Sequence, residues 1–472
     1  MTRAQALRAA IIAVPLETSN FGETPPSGTL YLPPSHLKAL RLDAHVVVGS
    51  RGVGKSFWTA VLQSDPLRRL LVGAASELTD ISVHLGFANR EDIASYPNAD
   101  VFSNFLDQGG EPYDLWRAVV LRWVAQRAGQ KIPDKNWGDT VKWLKFAPEA
   151  AARLMRQPRN WRGLILFDAL DRTSNVWQRM DEIVRGLLRM VLWLKGFSGL
   201  HAKVFLREDQ AERPVFNFPD ASKLTATKAE LTWARHDLYG LLWQRLINAP
   251  NKHGRLLREI CPYVEQAGAW RVADEMKRES EAQRKAFERL AGPWMGRDRR
   301  RGVPYTWSVS HLADGKGRTS PRSFLAAIRQ AAEDSNERYA QHDFALHYES
   351  IKRGIQQASE IRVQEMAEDY PWVPAVLSTL RGMNVPCEFA AIRARWAMSF
   401  PDGPQSIIPY GPQSITSHRL PAQHIARDWE GLREDLQRLG LIETKKDGRI
   451  DMPDLYRVGF GLGRKGGVKP RH

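Results

Sequence analysis

HVVVGSRGVGKSFW, residues 45–58, is the stretch on which the reading of this chain turns. A run of β-branched residues breaks into glycines, then a lysine and a serine, then an apolar pair. Gly49-Ser50-Arg51-Gly52-Val53-Gly54-Lys55-Ser56 fits the spacing G-x-x-x-x-G-K-[ST]. The AHVVV before it is short and apolar, as a strand buried inside a parallel sheet is. The KSFWTAVLQ after it can begin a helix, so strand, glycine loop and helix follow in the order the motif needs. Each residue type has its reason. Glycines let backbone N–H groups curl around phosphate oxygens, and a helix start adds unpaired donors and a positive dipole end. Lys55 can reach the β- and γ-phosphates, and the Ser56 hydroxyl can ligate Mg²⁺. These eight residues are expected to bind a nucleotide.

A phosphate loop needs a carboxylate strand to hold the metal. WRGLILFDALDRTS supplies one, with Leu164–Phe167 running straight into Asp168. At the C-terminal end of a parallel strand, Asp168 would sit beside the loop and orient a water on Mg²⁺. Asp171 could polarise the attacking water or help hold the metal; its plainer reading is a surface ion pair with Arg172. More than a hundred residues separate Lys55 from Asp168, so the two motif strands need not be neighbours in the sheet. HAKVFLREDQ reads as another buried strand, Ala202–Leu206, ending on Arg207, a guanidinium that could pair with phosphate or, locally, with Glu208 or Asp209.

Four apolar residues followed by Asp-Ala-Leu-Asp-Arg resemble the second motif of STAND-class signalling ATPases and the related KAP group. Those families belong to the division of P-loop ATPases that includes the AAA+ proteins. The resemblance spans roughly residues 30–330. It implies that Arg207 senses the γ-phosphate. It also implies that Arg322, next to Pro321 at the start of the helix in GRTSPRSFLAAIRQAAED, reaches back to the nucleotide as in the sensor-2 helix of origin-recognition-type AAA+ proteins. Ala169 follows Asp168 where many AAA+ proteins carry a glutamate base, which points to slow turnover and a switch in place of a motor. Such ATPases in bacteria often serve defence or mobile-element systems, so an antiviral setting, a homo-oligomer and an effector on another chain are what the resemblance implies.

The fold expected is α/β: a P-loop NTPase core with a parallel sheet, a helical lid and a C-terminal winged-helix domain. Residues 1–43 read as an N-terminal extension, 44–248 as the ATPase core, 249–365 as the helical, charge-rich lid, and 366–472 as a helical linker and winged helix. In the last of these, residues 401–421 are rich in proline and serine and read as a loop. Ile425, Trp429, Leu432, Leu436 and Leu439 then share a helix face, Gly440 stops the helix, and Asp447-Gly448 marks a hairpin turn.

Lys and Arg total 68 against 53 Asp and Glu, a net charge of +15 that favours polyanion partners without fixing the fold. Lys445, Lys446 and Arg449 on the wing, with Arg464 and Lys465 beyond it, are the candidate DNA-backbone contacts. GRDRRRG, residues 296–302, is a further basic stretch, read as a solvated loop or a phosphate contact. Two distant cysteines, Cys261 and Cys387, suit a reducing compartment. No apolar run reaches the roughly 20 residues of a membrane span, so the expected location is cytoplasmic. The cofactors expected are ATP and Mg²⁺. Without an N/T-K-x-D motif after the acidic strand a GTPase is disfavoured, and the long lid argues against a small-molecule kinase. The alternative is a nucleotide-locked scaffold with little turnover whose winged helix binds protein.

Overall fold

Val46–Val48 (β1), three β-branched residues with no exposed side chain, lies inside the sheet of the first unit. The computed structural model describes residues 1–16, 23–174, 176–212, 214–266, 268–407, 428–465 and 468–470. The chain divides into two compact units. One comprises residues 34–232 with 19–27; the other comprises residues 1–18, 28–33 and 233–472.

In the first unit the glycine loop leads into α1 (Lys55–Gln63). There follow β2 (Ile81–Phe87), α2 (Pro112–Arg127), β3 (Arg162–Phe167), α3 (Trp177–Leu194), β4 (Leu200–Leu206) and β5 (Ala229–Glu230). The strands form one sheet in the order β2-β3-β4-β1-β5, with every pairing parallel. Parallel neighbours require crossovers, which here are helical, so a central strand is covered on both faces and β1 and β3 read as unbroken apolar runs. The acidic strand β3 and the phosphate strand β1 are not neighbours; β4 lies between them. Val204 pairs with Val46 on one side and Phe167 on the other. The C-terminal ends of β1, β4 and β3 therefore lie side by side, and the chain leaves them at Gly49, Arg207 and Asp168.

Helix α3 carries the apolar period expected of a sheet-covering helix, burying Met180, Val184, Leu187, Val191 and Leu194. It packs closely on the start of α2 because Gly186 has no side chain; a Cβ there would lie 2.7 Å from the Tyr113 nitrogen. The Trp116 indole on α2 donates to the Ile183 carbonyl at 2.9 Å.

The second unit centres on α4 (Arg235–Ile247), buried at every residue from Asp237 to its end. The N-terminal helix Arg3–Ala13 belongs to this unit. Its fully buried Arg8 donates to the carbonyls of Tyr339, Ala340, Phe344 and Ala345. The stretch read as helical and charge-rich, 249–365, also contains an antiparallel hairpin, β6 (Tyr263–Gln266) with β7 (Ala269–Val272). The neighbouring charged helices hid it, although YVEQ and AWRV flank Gly268 at φ 72°, a turn conformation that favours glycine. Then come α5 (Pro321–Arg338) and α6 (Tyr348–Asp369), in backbone contact where Gly354 lies against the Ala327 carbonyl.

The C-terminal part contains α7 (Asp428–Arg438), β8 (Glu443–Thr444) and β9 (Ile450–Asp451), followed by the short helix Asp454–Arg457, with Gly440 at φ 73° closing α7 and Gly448 at φ 85° in the hairpin turn. Cys387 adds an antiparallel bridge to Ile450. Helix, turn and hairpin thus follow one another in the order expected from the sequence. Ile425 and most of the proline-rich stretch lie outside the described residues. No described helix is long and apolar enough to cross a membrane.

Candidate nucleotide site

Phosphate-loop geometry begins at Gly49, whose N–H donates to the Leu206 carbonyl at 3.1 Å and so prolongs the β1–β4 ladder by one bond. A Cβ at Gly49 would lie 2.6 Å from Val53, so the loop closes this tightly only with glycine there. Gly54 caps α1 at φ 106°, a left-handed conformation that costs other residues roughly 1–2 kcal/mol. The first intrahelical bond runs from the Trp58 N–H to the Gly54 carbonyl. The N–H groups of Lys55, Ser56 and Phe57 precede it, at the positive end of the helix.

Lys55 turns back over the loop and donates through Nζ to the Gly49 carbonyl at 2.8 Å and the Ser50 carbonyl at 2.9 Å. Burial and the nearby Arg207 lower its pKa to about 8, against the opposing pull of Asp168, Asp209 and Asp171. Those four side chains are thus close enough to act on the ammonium, although they come from two other segments, the ends of β3 and β4.

Asp168 is 4% exposed. Its N–H donates to the Phe87 carbonyl of β2 at 3.0 Å. Behind it Trp116 meets the rings of Phe167 and Phe87 edge-on, at 5.3 and 6.0 Å. This aromatic cluster fixes the end of β3. Burial pushes the Asp168 carboxyl up; the Ser56 hydroxyl, which donates to it, and the Lys55 charge hold it down. Ala169 then takes a left-handed conformation, φ 55° and ψ 36°, before the short turn Leu170–Arg172. Asp171, exposed on that turn, still acts on Lys55 and Asp168.

Arg207 does not stand bare at the end of β4. Its guanidinium forks onto Asp209, with Nε to Oδ1 at 3.2 Å and an Nη to Oδ2 at 2.7 Å. Both side chains are nearly buried, at 13% and 11% exposure. Asp209 belongs to the cluster as much as Arg207 does. The sequence named it only as a local partner, yet its place two residues beyond a strand-end arginine was the available signal.

The residues fit a Mg-nucleotide. Two oxygen donors, Ser56 and Asp168, touch each other across the gap between β1 and β3, and Mg²⁺ characteristically takes one or two protein oxygens with phosphate and water. Among the described residues no group of three or more His, Cys, Asp or Glu side chains could hold a metal.

The remaining candidates belong to the second unit. Arg322 at the start of α5 pairs with Glu365 of α6 at 2.5 Å, and Arg362 pairs with the same carboxylate at 2.9 Å. On the β8–β9 hairpin, Lys445 pairs with Glu443 and with Asp451, and Arg449 with Asp447. Arg464 is tied to Asp451 and Asp454, carboxylates only 5% and 3% exposed. Lys446 and Lys465 are exposed. The exposed positions of α7 are Asp428, Glu430 and Glu434, an acidic face.

No protein-family model matches the chain, and none of the curated proteins does. Among solved structures it is similar to a chain in the structure of Drosophila ORC bound to DNA. There the identity is 12% and the TM-score 0.35, over 96% of this chain and 90% of that one.

Proposed function

We propose that the protein is an ATP-binding switch with slow hydrolysis, coupling nucleotide state to oligomerisation and to its grip on DNA or a partner protein. One observation carries the reading: the Ser56 hydroxyl of the loop helix meets the Asp168 carboxylate of a different strand, with Lys55 between loop and carboxylate. Gly49 and Gly54 shape the loop, Lys55 carries charge to the phosphates, and Ser56 with Asp168 holds Mg²⁺. The ion's chemistry is neutralisation of phosphate charge. Asp171 orients the attacking water.

Arg207 reports the nucleotide by exchanging its fork between Asp209 and a phosphate oxygen, a geometry that suits either anion. Ala169 offers no base beside Asp168, so turnover is slow. Arg322, paired with Glu365 in the second unit, is the candidate second sensor of that switch. The cytoplasm, a bacterial defence or mobile-element setting and an effector on another chain complete the proposal.

Steady-state ATP hydrolysis, with and without duplex DNA and with Lys55→Ala as the blank, tests it. The expected result is slow turnover above the blank that rises with DNA. Turnover equal to the blank in both conditions would sink the hydrolysing switch. A second reading, a nucleotide-locked scaffold whose winged helix binds protein, is favoured by the acidic face of α7 and the internally paired wing cations. In that case ATP binds and is retained without turnover.

A further inference from the structure

Wing cations that neutralise buried carboxylates are poorly placed to neutralise phosphates, and a helix showing Asp428, Glu430 and Glu434 repels them. The second unit carries a different basic feature. Between the helices Ser280–Ala291 and Pro304–Ser310 the chain forms a closed loop whose base is a hydrogen bond from the Met295 N–H to the Gly302 carbonyl at 2.8 Å. Met295 is buried and anchors that base. Inside the loop, Asp298 accepts from the Arg300 N–H at 2.9 Å and starts a tight turn, Arg299–Arg301. Gly296 and Gly302 take φ of 159° and 91° at its two ends. Arg297, Arg299, Arg300 and Arg301 are all exposed. The loop's single carboxylate caps the turn and lies 3.9 Å from Arg300, whose side chain is 90% exposed.

A backbone closed at its base and capped inside thus presents four guanidinium groups with one carboxylate among them. Holding them together in water costs electrostatic self-repulsion, which a polyanion relieves. Duplex DNA offers roughly one negative charge per 1.7 Å of axis. Guanidinium forks match phosphate oxygens in pairs. The net charge of +15 favours the same partner at long range.

We propose that the arginine loop 296–302, and not the wing, is the surface through which this chain grips the phosphate backbone of duplex DNA. The assignment rests on the reading of the protein as a DNA-associated switch, and it carries no base specificity, since phosphate contacts position a protein without reading sequence.

The test titrates the full chain with a short fluorescent duplex at several salt concentrations, with binding of a fluorescent ATP analogue and thermal melting read on the same samples. Arg297→Gln, Arg299→Gln, Arg300→Gln and Arg301→Gln combined should weaken DNA binding by at least about tenfold at low salt. They should also flatten the slope of log K against log salt by about 3.6 if all four reach phosphates, because each contact contributes about 0.9. Lys446→Gln with Lys465→Gln should keep the wild-type slope. The quadruple variant should melt and bind nucleotide as wild type does. Unchanged affinity and slope in that variant would overturn the proposal, as would a wild-type chain that binds no duplex. Equal competition by polyglutamate at matched charge would also overturn it, in favour of an acidic protein partner. ATP binding is read separately, so its loss strikes the nucleotide reading and leaves the loop to be judged on its salt slope.

Discussion

Lys55 is the residue on which the electrostatics of the site converge. Its ammonium is held by two loop carbonyls, and burial with Arg207 brings its pKa to about 8. Phosphate oxygens favour the charged form, so they raise that pKa on binding. Nucleotide binding near and above pH 8 should therefore take up protons, and affinity should fall as pH rises through this range. Titration calorimetry in buffers of different ionisation enthalpy measures the uptake; none in wild type would remove Lys55 from the phosphates. Asp209 is the second decisive residue, because it occupies the Arg207 fork. Asp209→Asn leaves shape nearly intact and removes a negative charge beside two cations. It should tighten ATP binding severalfold or more, about 1–2 kcal/mol, the scale of a hydrogen bond to a charged group. Unchanged or weaker binding would show that Arg207 does not exchange partners.

At the scale of elements, what the sequence disclosed follows from how strongly each stretch is constrained. β1 and β3 are covered on both faces, so Val46–Val48 and Leu164–Phe167 had to be apolar throughout, and β1, β3 and β4 each end at the residue that leaves the sheet: Gly49, Asp168, Arg207. That much was legible. The hairpin β6–β7 was not, because β6 is exposed throughout and carries no apolar alternation. The Arg207–Asp209 fork and the pairing of Arg464 with Asp451 and Asp454 depend on side-chain placement that spacing does not encode. Lys203 was equally hidden. Fully buried on β4, it donates to the carbonyls of Ala39, Arg41 and Ala44 at 2.7, 2.9 and 2.8 Å, pinning the segment that leads into β1. Burial lowers its pKa from 10.5 to about 7. Between those values the unfolded chain binds more protons than the folded one, so stability rises with pH across the window. Urea unfolding of wild type and Lys203→Met from pH 7 to 10 should show the balance shifting toward wild type as pH rises. A pH-independent difference would contradict this placement of the charge.

Over the whole molecule, the proposed nucleotide chemistry and cationic surface fall in different units: the loop, Asp168 and Arg207 in one, the arginine loop and the C-terminal hairpin in the other. The site in the first unit assembles from strands β1, β4 and β3, so its parts fail in distinguishable ways. The most direct measurement is ATP affinity with and without Mg²⁺ for wild type, Lys55→Ala and Asp168→Ala, with steady-state hydrolysis on the same samples. The account predicts tight Mg-dependent binding in wild type and loss of binding, about a hundredfold or more, in Lys55→Ala, on the scale of a charged contact in a water-excluded site. Asp168→Ala should retain nucleotide but respond little to Mg²⁺ and lose turnover. Wild-type affinity in Lys55→Ala, or normal Mg-dependent turnover in Asp168→Ala, would contradict the assignment of this cluster as a Mg-nucleotide site.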